Sequence, residues 1–155
     1  MKKSVKCSIR DASLDNSKEL AEYKRNYIYK NYGTYGPNTR KKIASYIDSS
    51  IIDQIKRYKF IIGDDKVIGY IFLTKRKQRV YCIEEIFIEK EYNTIKTLMS
   101  LIDFLDEKNT LLCAWVHRKN RKVLWAFRMA GMRIIESDSL RCYLEIEKKR
   151  RKYEN

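Results

Sequence analysis

Two neighbouring carboxylates, Glu84 and Glu85, sit in a stretch of strand-forming residues from Val80 to Ile88. A carboxylate on a largely buried strand can take a proton from an ammonium group if burial or a hydrogen-bonded relay tunes its pKa. The same carboxylate, solvated or salt-bridged, is a plain strand residue. Side chains alternate along a strand, so the two glutamates are expected on opposite faces. The next segment offers different chemistry. Leu98, Leu101, Ile102 and Leu105 recur at i, i+3, i+4 and i+7 and mark one face of a helix. A strand running into a helix leaves backbone N–H groups unpaired at the junction, a ready site for phosphates and other anions. Asn93, Thr94, Ile95, Lys96, Thr97 and Leu98 occupy that junction, and the helix is expected to open between Thr94 and Lys96.

Other reactive types are sparse. His117, the single histidine, can serve as a base near neutral pH or stand exposed in its basic loop beside Arg118 and Lys119. Asn120 suits the N-cap of a helix carrying Val123, Ala126, Phe127 and Ala130 on one side, with Gly131 ending it. Cys7, Cys82, Cys113 and Cys142 show neither C-x-x-C pairing nor a disulfide framework, and one histidine does not make a zinc site, so no metal is expected. They read as small reduced core residues of a cytoplasmic protein.

The elements that must hold these groups follow in order. Lys6 to Arg10 forms a short strand, and Asp15, Asn16 or Ser17 caps a helix to about Asn31 that turns Leu20, Tyr23, Tyr27 and Ile28 inward. The loop NYGTYGPNT follows; the tyrosines around it are either helix-end packing or an aromatic substrate pocket. A second helix spans about Thr39 to Arg57 with Ile43, Ile47, Ile51 and Ile55 at helical spacing. Tyr58–Ile62 and Val67–Lys75 make a hairpin around Gly63-Asp64-Asp65-Lys66, and Arg76 to Arg79 turn into the central strand. A helix to about Lys108, a strand Thr110–Val116, the helix capped by Asn120, and a hairpin of Met132–Glu136 with Leu140–Glu147 complete the chain. Alternation in that last strand puts Leu140, Cys142, Leu144 and Ile146 on one buried face. Trp115 and Trp125 read as core or interface residues.

The 155 residues suit one domain, 1–147, with a basic tail, 148–155. Thirty-four basic against 20 acidic residues give +14. That balance serves solubility, or an anionic ligand or nucleic-acid partner. The charge clusters at Lys75-Arg76-Lys77 with Arg79, at Arg118-Lys119 with Arg121-Lys122, and in the tail. No apolar run is long enough to span a membrane, and the N-terminus lacks the apolar core of a secretory signal.

This order of elements resembles the GNAT superfamily of acyl-CoA N-acetyltransferases, and four local motifs are similar to it. Ser8-Ile9-Arg10-Asp11-Ala12 looks like the opening "IRxA", and GDDKVIGYIFL (Gly63 to Leu73) like the hairpin ending in "xIVGfixl". IEEIFIEKEY (Ile83 to Tyr92) is similar to "lEelyVxPeY", and VHRKNRKVLWAFRMAGM (Val116 to Met132) to "VxxxNxxAixfYeklGF". The resemblance implies a single-domain α/β (α+β) fold, a mixed, mostly antiparallel twisted sheet flanked by helices. It implies acetyl transfer from acetyl-CoA to a primary amine of a small molecule, peptide or protein, by a monomer or homodimer. Backbone groups near Phe87 and Ile88 would pair with the pantetheine arm and polarise the thioester carbonyl. The pyrophosphate would sit on the loop Asn93 to Leu98, with Asn120 and Phe127 beside the cofactor. Glu84 falls at the family's base position, with Glu85 beside it. The family loop reads R/Q-x-x-G-x-G/A; here those positions are Asn93, Lys96 and Leu98, leaving Thr94, Lys96 and Thr97 to supply hydroxyls and charge. Phe127 falls where many members carry the tyrosine that protonates the leaving thiolate, so Tyr143, Tyr92 or water would take that role. These departures keep two alternatives in view: a repurposed, non-catalytic protein binding a protein or nucleic-acid partner, and acetylation of an aminoacyl-tRNA or other nucleic-acid-linked acceptor.

Overall fold

In the computed structural model, residues 2–32, 36–109 and 111–147 are described. The strands are β1 (Cys7–Asp11), β2 (Tyr58–Gly63), β3 (Lys66–Lys77), β4 (Val80–Ile88), β5 (Leu111–His117), β6 (Arg133–Ser137) and β7 (Arg141–Glu147). The helices are α1 (Ser17–Tyr32), α2 (Pro37–Asp53), α3 (Ile95–Lys108) and α4 (Arg121–Met129). Together the strands form one seven-stranded sheet in the order β1-β2-β3-β4-β5-β7-β6. Every neighbouring pair is antiparallel except β4–β5. That pair is parallel because α3 carries the chain back across the sheet between them.

Local chemistry explains the turns and caps. Asp64 and Asp65 both take positive φ (55° and 60°), the left-handed pair that a two-residue hairpin turn requires. Thr94 caps α3, its Oγ1 accepting the Thr97 N–H at 3.2 Å. Gly131, at φ 108°, closes α4 in a conformation that disfavours any side chain.

Two apolar layers flank the sheet. On one face, Ile71, Ile83, Ile88, Leu112 and Val116 pack against Leu98, Leu101, Ile102 and Leu105 of α3 and Val123, Ala126 and Phe127 of α4. On the other, Tyr58, Phe60 and Tyr70 pack against Leu20 and Ala21 of α1 and Ile47 and Ile51 of α2. Each fully buried aliphatic contributes about 1.5–3 kcal/mol of transfer free energy. No helix among the described residues is long and apolar enough to cross a membrane.

Four local expectations are corrected. The second helix starts two residues earlier than Thr39, at Pro37, whose missing N–H costs nothing in a first turn. It ends at Asp53, and Ile55–Arg57 is a separate 3₁₀ turn that still presses Ile55 onto the core while the chain reverses into β2. The β3–β4 connection is only Gln78-Arg79, with Arg79 at φ 62°, because strand pairing continues to Lys77↔Val80. Leu140 is 61 % exposed. It lies in the β6–β7 turn, where its N–H bonds the Asp138 carboxylate at 2.7 Å, so strand alternation begins after it. Of the core and interface readings of Trp125, the core one is excluded: its side chain is 56 % exposed on the outer side of α4. The loop positions 33–35 and the basic tail lie outside the described residues.

Candidate functional site

The central strands pair only at their beginnings. β4 and β5 are in register over Val80–Ile83 and Leu111–Ala114. Beyond that point β4 stays on β3 as far as Ile88↔Gly69, while β5 stays on β7 as far as His117↔Arg141. The sheet therefore opens into a wedge, a cleft of about 510 Å³. Its walls are β4 from Ile83 to Ile88, β5 from Trp115 to His117, the start of α3 and the start of α4. The Glu89 N–H bonds the Ile68 carbonyl at 2.8 Å. Along an antiparallel ladder the groups alternate sides, so Phe87 also turns its backbone to β3, and the N–H and C=O of Ile86 and Ile88 face the cleft. Gly69 permits this close approach: a Cβ there would lie 1.9 Å from the Phe87 carbonyl oxygen.

A bulge in β4 sets the two carboxylates. Phe72 pairs with Glu85 and Leu73 with Ile83, which leaves Glu84 as the extra residue. Ile83 and Ile86, three positions apart, consequently pack on the same α3/α4 face. Glu84 and Glu85 thus share the other face, contrary to the strict alternation expected of them, and both line the cleft.

Their surroundings differ. Both Glu85 oxygens are occupied: Oε1 accepts Lys24 Nζ at 3.2 Å and Oε2 accepts the Tyr70 hydroxyl at 2.6 Å. Lys24 reaches across from α1, also donates to the Tyr58 hydroxyl at 2.7 Å, and lies over the Tyr58 and Phe72 rings at 5.2 and 5.8 Å. Desolvation opposes its charge, but Glu85 and Tyr58 prevail and hold the ammonium above the ordinary lysine range. Burial, followed by the Glu85 carboxylate, pushes the Tyr70 phenol far up, so it stays a hydrogen-bond donor. Glu84 makes no hydrogen bond or ion pair among the described residues, which leaves it as the free carboxylate of the cleft.

The junction with α3 is held by side-chain hydroxyls. Thr94 bonds Ser4 Oγ at 2.9 Å and Thr97 Oγ1 at 3.0 Å, and Thr97 Oγ1 accepts the Val5 N–H at 3.1 Å. These hydroxyls tie down the N-terminal segment. The first intrahelical bond is Leu98 N–H to the Thr94 carbonyl, leaving the N–H groups of Ile95 and Lys96 outside the helical ladder. Asn93 and Leu98 line the cleft, Leu98 as part of the buried wall; Thr94, Ile95, Lys96 and Thr97 do not. On α4, Asn120 accepts the Val123 N–H at 3.3 Å and lines the cleft, and Lys122 donates to the Asn93 carbonyl at 3.1 Å, joining the two helix starts.

Phe87, Ile88 and Phe127 also line the cleft, Phe127 with no exposed surface. Tyr143 is not among the lining residues: its hydroxyl donates to Glu145 at 2.7 Å and its ring packs on Trp115 at 4.8 Å. Burial, with the bonds to Cys113 and Glu145, raises its pKa. Tyr92 is fully buried away from the cleft wall. His117 is exposed at the rim, with Nδ1 accepting the Lys119 N–H at 3.2 Å. All four cysteines are free and buried.

Sequence reasoning missed Lys24, Tyr58 and Tyr70. A signal was present for the first: Lys24 follows Leu20 by four and Ala21 by three, on the inward face of α1, where an unpartnered ammonium is costly. Tyr27, from the same face, reaches the cleft.

No protein-family model matches the chain, and no curated protein matches it. Solved structures match it in fold. The PaiA N-acetyltransferase from Thermoplasma acidophilum, in complex with coenzyme A, is 18 % identical, with 91 % of this chain and 98 % of that one covered at a TM-score of 0.66. An N-acetyltransferase from Staphylococcus aureus Mu50 is 14 % identical over 90 % of this chain and 100 % of that one, TM-score 0.67. A GNAT-family acetyltransferase from Bacillus anthracis is 14 % identical over 95 % and 98 %, TM-score 0.63. The chain has the fold of the GNAT acetyltransferases.

Proposed function

We propose that this protein is a GNAT-type N-acetyltransferase that moves an acetyl group from acetyl-CoA to a primary amine. One observation carries the reading: the wedge between β4 and β5 has a free backbone edge at Ile86 and Ile88 and an unpartnered carboxylate, Glu84, on its wall. An extended, amide-bearing arm can add to such an edge as a strand does. The residues present fit that arm. Its phosphate end would lie outside the cleft wall, where the N–H groups of Ile95 and Lys96 at the start of α3 are outside the helical ladder, with the cation of Lys119 at the rim. When bound, acetyl-CoA would supply the activated acetyl group as a thioester.

The chain's own residues then have defined tasks. The acceptor amine enters from the α1 side, between Tyr27 and Trp115. Glu84 takes the proton from its ammonium form, directly or through water, and so frees the lone pair for attack. Glu85, neutralised by Lys24 and held by Tyr70, keeps the bulge rigid and leaves one net negative charge to attract the ammonium. The backbone N–H groups of Ile86 and Ile88 are the donors available to the developing oxyanion. Phe127 offers no proton and keeps the inner wall dry, so the leaving thiolate takes its proton from solvent.

A second reading, a non-catalytic binding protein on this scaffold, is favoured by Lys96 and Leu98 at the glycine positions and by Phe127. Calorimetric titration with acetyl-CoA, followed by a thiol-release assay over a panel of amines, separates the two. Binding with amine-dependent CoA release supports the enzyme. Binding without release for any amine, or no binding at millimolar acetyl-CoA, supports the second reading and removes the catalytic role of the wedge.

A further inference from the structure

We propose that the end of the sheet remote from the cleft is a nucleic-acid docking surface that grips the sugar–phosphate backbone of a duplex without reading its bases. The topology gathers cations there from separate parts of the sequence. The cleft opens at the C-terminal ends of β4 and β5, so their beginnings mark the closed end. The last residues of β3 bring Lys75, Arg76 and Lys77 to that end, and the β3–β4 turn adds Arg79. Because Tyr58 is in register with Phe72, the 3₁₀ turn bearing Lys56 and Arg57 runs beside the same end of β3. β7 also finishes there: Glu147 is in register with Leu111, whose N–H bonds the Arg79 carbonyl at 3.3 Å.

These six cations are exposed, and none is in an ion pair among the described residues. Among the acids of these strands, Glu147 stands in the same row as Lys77, through Val80 and Leu111, and Asp11 is paired with Lys59 at 2.9 Å. From the flank of β2 to β4, the strands that carry the six cations, lie two inter-strand spacings. At about 4.8 Å each they span about 10 Å, or roughly three base pairs of duplex. The tip, Lys75-Arg76-Lys77-Gln78-Arg79, has no apolar side chain to seat in a bilayer and no aromatic ring to stack on a base. That combination fits a phosphate backbone. β4 separates this surface from the cleft mouth by about 27 Å, so the proposal stands whether or not the cleft transfers acetyl groups.

The test measures binding of labelled 20-base-pair DNA and RNA duplexes by fluorescence anisotropy between 50 and 200 mM salt. Three full-length proteins are compared: the natural chain, a variant with Lys56, Arg57, Lys75 and Lys77 changed to Gln, and a control with Lys2, Lys6, Lys41 and Lys42 changed to Gln. The two variants lose equal charge, and thermal melts establish that both fold. We expect the first variant to flatten the log–log salt slope by about 3–4 units and the control by less than about one. DNA and RNA duplexes should bind within a few-fold of each other. The proposal is overturned if both variants weaken binding alike, if one duplex type or one sequence is strongly preferred, if phosphatidylserine vesicles bind better than duplex, or if the natural chain fails to bind at 50 mM salt.

Discussion

Changing Lys24 to Met tests whether the ion pair behind the cleft holds this part of the fold together. Methionine keeps the length of the stem and removes the charge. The side chains of Lys24 and Glu85 are 13 % and 22 % exposed, so the carboxylate left behind would be largely desolvated. Breaking a buried pair from one side costs about 3–5 kcal/mol. Here Tyr70 still donates to Glu85 and some water reaches it, so about 2–3 kcal/mol is expected. For a chain of this size that lowers the melting temperature by about 5–10 °C. The sign with pH follows from the direction of the shift. Lys24 is held above its ordinary value of 10.5, so its contribution is fully present below that pH and is lost as pH rises through the folded value. The gap between natural chain and variant should stay constant from about pH 7 to about pH 9 and narrow only above the ordinary lysine range. Adding Glu85→Gln to the variant should recover at least half of the loss, since no buried charge then lacks a partner. Differential scanning calorimetry of the natural chain, the single variant and the double variant measures all three quantities. A single variant melting within about 2 °C of the natural chain, or a double variant less stable than the single, would refute the assignment.

Three further outcomes are expected. Glu84→Gln should reduce kcat/KM for acetyl transfer at least about tenfold while changing stability by less than about 0.5 kcal/mol, because it deletes a base that nothing else in the structure leans on; unchanged turnover across the pH profile removes Glu84 from the reaction. Gly69→Ala should cost about 3 kcal/mol or more in denaturant melts, since the new Cβ would meet the Phe87 oxygen at 1.9 Å and the Ile88 Cα at 2.9 Å, both backbone atoms that cannot swing away. Asn120→Ala should cost about 1 kcal/mol by the loss of its cap on Val123, measured in the same melts.

The parts of this fold visible in the sequence are those set by local chemistry. Thr94 and the spacing from Leu98 to Leu105 announce α3, Asn120 and Gly131 bracket α4, and two aspartates announce the β2–β3 turn. Of the cleft residues, Asn93 and Leu98 could be named from the strand-to-helix junction and Asn120 from its cap position, while Phe87, Ile88 and Phe127 could be named only through the family resemblance. What escaped depends on pairing between distant segments. A bulge leaves no compositional mark: Glu84 became the extra residue only because Leu73 registers with Ile83. Lys24 looked like any helix lysine, and its carboxylate lies 61 positions away. Thr94 and Thr97 looked like phosphate ligands, yet their hydroxyls serve Ser4 and Val5, some 90 positions earlier.

The brief parallel pairing of β4 with β5 has a thermodynamic consequence. Only four registers join β1–β4 to β5–β7–β6, so the sheet consists of two half-sheets stitched along a short seam. A molecule lying in the wedge would touch both halves and lengthen the seam. Its binding free energy would then oppose their separation, raising the melting temperature with the logarithm of its concentration. The amides of Ile86 and Ile88, which face the wedge, should exchange with deuterium rapidly in the free protein and slowly once the wedge is filled. Occupancy of this site can thus be followed amide by amide, with no need to know the acceptor.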